Sequence, residues 1–344
     1  MIDDQRPATD DIDVSGSWRA SASGKIILCG EHAVVYGRPA IALPIASVRA
    51  HVLIERAAWG QGITVHAPDL GRSWALHARP RDTLSRLVPE VLAALGAPPQ
   101  PDLRISISSD IPIASGMGSG AAVATALVRA LAASCARDLS NQQVSALVFA
   151  NERRLHRTPS GIDNTVIAFE RAIWYQRVPV GALPAVDYAP PSIEPLAIAA
   201  PLTLLIGDTG VRSATRLPVG KVRKRWQADT ASYEALFDAV GSAAHAVRAA
   251  LAAGDPAALG PLLDQNHGLL QQIGVSSPQL DTLVAAARAA GALGAKLSGA
   301  GWGGVMLALV TPAARTHVAG ALRAAGAARV FAATVASTVP PNSP

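Results

Sequence analysis

The segment PIASGMGSGAAVATALVRALAAS, residues 112–134, constrains this chain more than any other. A glycine-rich turn passes straight from a strand into an alanine-rich helix. The glycines at 116–120 let backbone N–H groups approach an anion closely. The helix behind them aims its free N–H groups and positive dipole end at the same place. A tight strand–helix turn without a ligand is the plain alternative. Two generic nucleotide folds fail here. No G-x-x-x-x-G-K-[ST] run exists, which excludes a P-loop NTPase. Gly116-x-Gly118-x-x-Ala121 spells a dinucleotide fingerprint, but the next periodic segment, 141–156, is a second helix with Ser140 as its N-cap, where a βαβ unit needs a strand. Gly299-x-Gly301-x-x-Gly304 spells it again, yet opens onto a strand at 305–310.

The chain of 344 residues has room for two domains or one large one. Half its residues are hydrophobic and 16% are charged, so a sizeable core is available and a disordered or collagen-like chain is excluded. Aromatics make up only 4%, so Ala, Leu and Val must fill that core. Cys29 and Cys135 have no metal-ligand spacing and make no disulfide framework, which fits a reducing, cytoplasmic location. The apolar run 121–136 is interrupted by Arg129 and is too short to span a bilayer, so no membrane partner is expected. Residues 1–16 carry five aspartates and read as a disordered acidic leader, the opposite of a signal peptide. The net charge of +5 is mostly scattered. Its one cluster, Lys221, Arg223, Lys224 and Arg225, suits a solvated helix start or an anionic small-molecule site, and without aromatic stacking partners it gives no nucleic-acid surface. Only four of the 30 basic residues are lysines: Lys25, Lys221, Lys224 and Lys296. In a chain that otherwise uses arginine, lysine marks a need for a compact ammonium. Lys25 and Lys296 both lie beside glycine-rich segments.

Strands are expected over 25–28, 48–55, 63–66 and 74–77, a helix over 83–95 ended by Gly96, and a half-buried strand over 103–108 from its alternation. The loop TPSGIDN, 158–164, follows the second helix, and proline-rich text over 178–201 marks a boundary or long connection. Beyond it come a strand at 202–207, one long helix face over 223–253, helices over 256–273 and 278–290, two strands flanking 298–304, a helix opened by Thr311-Pro312 and a last strand at 329–335. The tail PPNSP is expected to be disordered. Strand–helix–strand–strand–helix–strand is the ferredoxin-like order, so the chain is expected to be an α+β protein of two lobes, residues 17–195 and 196–338.

Chemistry needs a charge that the loop itself does not supply. Lys25 is one candidate, or an exposed strand-end lysine. Asp163 lies in a Gly/Pro-bounded loop, where a capping role is the alternative. Glu152 is either functional or a helix-surface glutamate beside Arg153 and Arg154. His32 is equally a hydrogen-bonded turn residue, and His156 reads as structural or exposed.

Together these segments resemble the mevalonate kinase family of the GHMP kinase superfamily. SGKIILCGEHAVVYGRPAIALPI, residues 23–45, resembles its first motif. Residues 112–126 are similar to its P-x-x-x-G-L-G-S-S-A-A phosphate loop, ERRLHRTPSGIDNTV (152–166) to the segment ending in the catalytic aspartate, and KLSGAGWGGVMLAL (296–309) to its third motif. The stretches 207–225 and 266–283 also follow the family, and the resemblance covers roughly residues 21–309. It implies a two-lobed GHMP kinase fold, with an N-terminal lobe of ribosomal-protein-S5-like type and a C-terminal ferredoxin-like lobe. It implies ATP-dependent phosphorylation of (R)-mevalonate to 5-phosphomevalonate, with ATP and Mg²⁺ as cofactors. Pro112, Ser115, Gly116, Gly118, Ser119, Gly120 and Ala121 would cradle the triphosphate. Glu152 and Ser119 would hold the metal. Asp163 would take the alcohol proton, with Lys25 beside it, and Glu31, His32, Ser213 and Thr215 would contact the substrate. A homodimer is left open.

Two departures from the family pattern stand out. Gly120 occupies the place of the second loop serine, a magnesium ligand, and Trp302 that of a usual glycine in the third motif, where a bulky side chain is expected to narrow or reshape the site. Other readings are another GHMP kinase (mevalonate 3-kinase, phosphomevalonate kinase or sugar kinase) and a catalytically dead, ligand-binding regulator. The presence of Lys25, Glu152 and Asp163 argues against the last.

Overall fold

The computed structural model describes residues 16–78, 83–156, 160–177 and 191–338. The expected leader, most of the proline-rich connection, Thr158 and Pro159 of the TPSGIDN loop, the side chain of His156 and the PPNSP tail lie outside the described residues. Two compact units interleave along the chain instead of following one another. The first takes residues up to Gly24, Val48–Pro112 and Gly118–Glu170, and the second takes Lys25–Ser47, Ile113–Met117 and the chain from Arg171 on.

Strands β1 (Ser17–Cys29) and β2 (Ala40–Arg56) pair with each other and run through both units. Both are longer than expected. Residues 22–29 of β1 are buried on both faces, so the half-buried alternation that marks a strand in sequence vanishes there. In the first unit the C-terminal half of β2 pairs antiparallel with β5 (Leu103–Ser109). Strand β3 (Ile63–Ala67) lies parallel to β5 and antiparallel to β4 (Arg72–Ala75). Leu103, Ile105 and Ile107 of β5 point into the core while Arg104 is exposed, as the alternation predicts. The unit's helices are α1 (Thr83–Ala94), α2 (Ser119–Ser134), α3 (Asn141–His156) and α4 (Ile162–Phe169), of which α2 packs on β5. Helix α2 contacts the other three. Its buried alanines at 121, 122, 124, 126, 130 and 132 leave room for close helix approach. Helix α4 falls where a loop was expected. Six of its eight residues are buried, so no polar face marks it as an amphipathic helix.

In the second unit the start of β2 pairs with β6 (Ile173–Gln176), which pairs with β7 (Ser192–Pro195). The rest is β8 (Leu202–Asp208), α5 (Arg216–Ala228), α6 (Thr230–Ala253), α7 (Pro256–Ile273), α8 (Pro278–Ala289), β9 (Gly294–Ser298), β10 (Val305–Val310), α9 (Arg315–Ala324) and β11 (Arg329–Val335). The sheet order β11-β8-β10-β9, wholly antiparallel, is the ferredoxin-like arrangement. The single long helix expected over 223–253 is two helices. Asp229 leaves the helical region (φ −145°, ψ 75°) and caps α6 by accepting from Ser232 N at 3.2 Å. The core joins Leu205, Leu297 and Met306 to Val240, Leu270, Leu283 and Val318. Four of the scarce aromatics meet here: Tyr36 stacks on Phe237 at 4.1 Å and tilts against Trp226 at 5.3 Å, and Tyr233 stands edge-on to Phe237 at 6.0 Å. Among the described residues no helix is long and apolar enough to cross a membrane.

Candidate active site

The second unit brings Lys25, Glu31, His32, Ser115 and Gly116 around residues 296–304. Lys25 is 3% exposed on β1, and its amide donates to Met117 O at 3.0 Å, tying the phosphate loop to the strand. The two glycine segments meet backbone to backbone. A Cβ on Gly304 would stand 2.4 Å from Ser115 O, and one on Gly299 would stand 3.4 Å from Gly116 Cα. Ser298 Oγ accepts from Ile27 N and donates to Ile27 O, both at 3.0 Å.

Behind this junction lies a buried ion pair. The Lys296 ammonium donates to Glu31 Oε1, to Leu297 O at 2.6 Å and to Ile27 O at 3.4 Å, so its three protons meet three acceptors. Glu31 Oε2 accepts from Asn266 Nδ2 at 3.2 Å. Glu31 was expected to contact substrate. Both its oxygens are engaged inside the protein and it is 1% exposed, so its place is that of a support for the 30–32 turn. His32 is the centre of a γ-turn (φ 62°, ψ −52°) closed by Ala33 N donating to Glu31 O at 2.7 Å, and is 6% exposed with Nε2 3.0 Å from Ala300 O. A carbonyl only accepts, so Nε2 carries the proton and Nδ1 is left as an acceptor. Burial pulls the His32 pKa down to about 4, the Ala300 carbonyl works against that, and Lys296 adds to it. The ring is therefore neutral at pH 7. His267 shares the region: it accepts from Leu297 N at Nδ1 (3.3 Å), and its Nε2 lies 3.1 Å from Asp281.

Trp302 (φ 57°) is half-buried in the third glycine segment. Its indole N–H donates to Gly274 O at 3.0 Å and its amide to Val275 O at 2.9 Å, which anchors the ring to the end of α7. Ser213 is half-buried and Thr215 exposed, on the segment between β8 and α5. That segment is held by Asp208, which takes Arg212 bidentately at 2.7 and 2.8 Å and Gly210 N at 3.0 Å. Burial alone would raise the Asp208 pKa, but the Arg212 guanidinium, the Gly210 amide and Arg329 hold it below the usual carboxylate range. Asp208, Arg212 and Asn266 were not singled out in the sequence. The one available signal was an acidic residue closing the apolar run TLLIGD.

The first unit holds the rest. Pro112 is buried. Gly118 (φ 75°) is the N-cap of α2 and no side chain caps that end, so the first-turn amides suit an anion such as a phosphate chain. A Cβ at Gly120 would meet nothing within 4 Å, so the missing serine is a loss of a hydroxyl and not a steric necessity. Ser119 is half-buried at the helix start and Ala121 is buried. Asp163 lies in the first turn of α4, half-buried. Its neighbours fix that turn: Asn164 Nδ2 donates to Ser145 Oγ at 2.8 Å, and Thr165 Oγ1 to Gly161 O at 2.7 Å. Glu152 is half-buried on α3. No group of three His, Cys, Asp or Glu among the described residues could hold a metal by itself. One carboxylate and one hydroxyl suit Mg²⁺ only if phosphate oxygens and water complete its shell, which is how that ion is commonly bound.

Family descriptions match the chain over residues 83–171 (GHMP kinases N terminal domain) and 247–328 (GHMP kinases C terminal). The chain is 34% identical over 331 residues to the mevalonate kinase of Thermococcus sibiricus, covering 89% of this chain and 93% of that protein. It is 34% identical over 307 residues to that of Aeropyrum pernix, covering 85% and 88%. The crystal structure of L. major mevalonate kinase in complex with R-mevalonate aligns with a TM-score of 0.81 at 30% identity, over 95% of this chain and 98% of that one. Matched in sequence and fold along nearly its whole length, the chain belongs to the mevalonate kinase family of the GHMP kinases.

Proposed function

We propose that this chain transfers the γ-phosphoryl group of ATP to the 5-hydroxyl of (R)-mevalonate. The observation that carries the reading is its likeness to the L. major enzyme, solved with R-mevalonate, across 95% of the chain. Phosphoryl transfer demands positioning and charge neutralisation more than covalent chemistry. Backbone amides of the 112–121 loop and the uncapped start of α2 bind the triphosphate. Asp163 accepts the proton of the attacking alcohol, and the Lys25 ammonium stabilises the charge that develops on alkoxide and phosphate. The neutral His32, through Nδ1, and the hydroxyls of Ser213 and Thr215 orient mevalonate. Glu31 and Lys296 support the turn that carries His32.

Mg²⁺, held by Glu152 and Ser119 with phosphate oxygens, would neutralise charge on the nucleotide. The free thiols of Cys29 and Cys135 fit a reducing, cytoplasmic setting. A coupled ADP-release assay with mevalonate, phosphomevalonate and galactose as acceptors tests the reading. Turnover with mevalonate alone is expected, and turnover with another acceptor but not mevalonate would overturn it.

A further inference from the structure

Glu170 ends α4 in the left-handed conformation (φ 48°, ψ 37°), which is unfavourable for a residue with a Cβ and free for glycine. Its carboxylate holds it there. Oε1 accepts from the Ser23 amide at 3.1 Å and from Arg49 Nη2 at 2.8 Å, and Arg129 Nη1 lies 3.6 Å away. The arginines reach further: Arg49 Nε donates to Ser21 Oγ at 3.0 Å, Arg129 Nη1 to Ser21 O at 3.1 Å, and Arg129 Nη2 to Ala168 O at 2.8 Å. Four elements of the first unit thus converge on one carboxylate: β1 through Ser21 and Ser23, β2 through Arg49, α2 through Arg129, and α4 itself. Two of them carry chemistry at their far ends. Helix α2 starts at Ser119, and α4 holds Asp163 in its first turn, about 10 Å along the helix from Glu170.

We propose that Glu170, gripped by Arg49 and Arg129, is a positioning residue for phosphoryl transfer: it fixes where α4 presents Asp163 relative to the phosphate-binding start of α2. Glu170 touches no substrate and acts through the helix. The strained backbone is retained because this position needs an anion as well as a turn. Glycine would satisfy the backbone but leave two guanidinium groups and the Ser23 amide without their common acceptor. The inference rests on Asp163 being the base and on α2 being the phosphate-binding helix.

The test is a kinetic cycle in the full chain. Glu170→Gly is expected to lower kcat about tenfold, since small misplacements far from the chemistry are costly. KM for ATP and mevalonate should stay within about twofold, because binding is not what the residue serves. Introduced into Asp163→Asn, the same Glu170→Gly change should cost less than about twofold, because the group it positions is gone. A purely structural residue would impose its full loss in both backgrounds. A kcat within about twofold of the parent enzyme, or an undiminished loss in the Asp163→Asn background, overturns the proposal. If Glu170→Gly does not fold, Glu170→Gln, which keeps an acceptor for Ser23 but not the charge, is carried through the same cycle with the same criteria. The underlying reading fails separately: an Asp163→Asn enzyme with normal kcat removes the base assignment whatever Glu170 does.

Discussion

Each compact unit contains an ion cluster, and the two clusters are built differently. In the second unit the Lys296 and Glu31 side chains are 0% and 1% exposed, and every proton of the ammonium has an acceptor. In the first, Glu170, Arg49 and Arg129 are 16–26% exposed, and the guanidinium groups fork between a carboxylate and neighbouring backbone or hydroxyl oxygens. The choice of cation follows from geometry. A compact ammonium serves three acceptors converging inside the core, whereas a planar fork spans two or three elements at the rim. The energetics differ too. A buried pair is costly to break because the survivor is left as an uncompensated charge, while a part-exposed pair is screened by water.

The largest expected effect comes from breaking the buried cluster. Glu31→Ala should cost about 3–5 kcal/mol in urea unfolding, and adding Lys296→Met should restore much of it by removing the stranded charge. A loss as small as that of the rim cluster would erase the contrast. Acid should act on the same unit. His32 and His267 are both held neutral with pKa values of about 4, against 6.5 for an unperturbed histidine; burial is the main cause, and Lys296 contributes to both. As pH falls the unfolded chain takes up protons first, so stability is intact above about pH 6.5 and declines from there towards pH 4. The decline should reach on the order of 2–3 kcal/mol per histidine at its lower end. Urea midpoints that stay flat between pH 6.5 and 4.5 would contradict this. The smallest stability effect is at the rim: Glu170→Gln should cost no more than about 1 kcal/mol, even though it slows turnover. A loss of several kcal/mol there would mean that the residue serves the fold and not the geometry of α4.

Local rules carried far along this chain. The alternation of β5, the helix after the 112–118 turn and the starts of α7 and α8 at Pro256 and Pro278 were all legible, because each is set by its own residues. At Thr311 the cap was right but the place was not. Its Oγ1 accepts from Ala314 N at 3.2 Å to close a turn, and α9 begins only at Arg315. The site was legible as far as its motifs. Lys296 stood out as one of four lysines, but its partner Glu31 lies 265 residues away, so the pair could not be read and Glu31 was assigned to the substrate. Glu170 gave no signal, because its meaning depends on Ser23, Arg49 and Arg129, brought together only by the fold.

What defines this reaction is the atom that receives the phosphate. In mevalonate the 5-hydroxyl sits on a CH₂ group and the 3-hydroxyl on a carbon without hydrogen. Proton-coupled ³¹P NMR of the product formed from ATP and (R)-mevalonate therefore distinguishes them directly. Transfer to the 5-hydroxyl gives a phosphomonoester signal split into a triplet by the two C5 protons, and this is the expected result. An unsplit signal, from phosphate on the 3-hydroxyl, would contradict it.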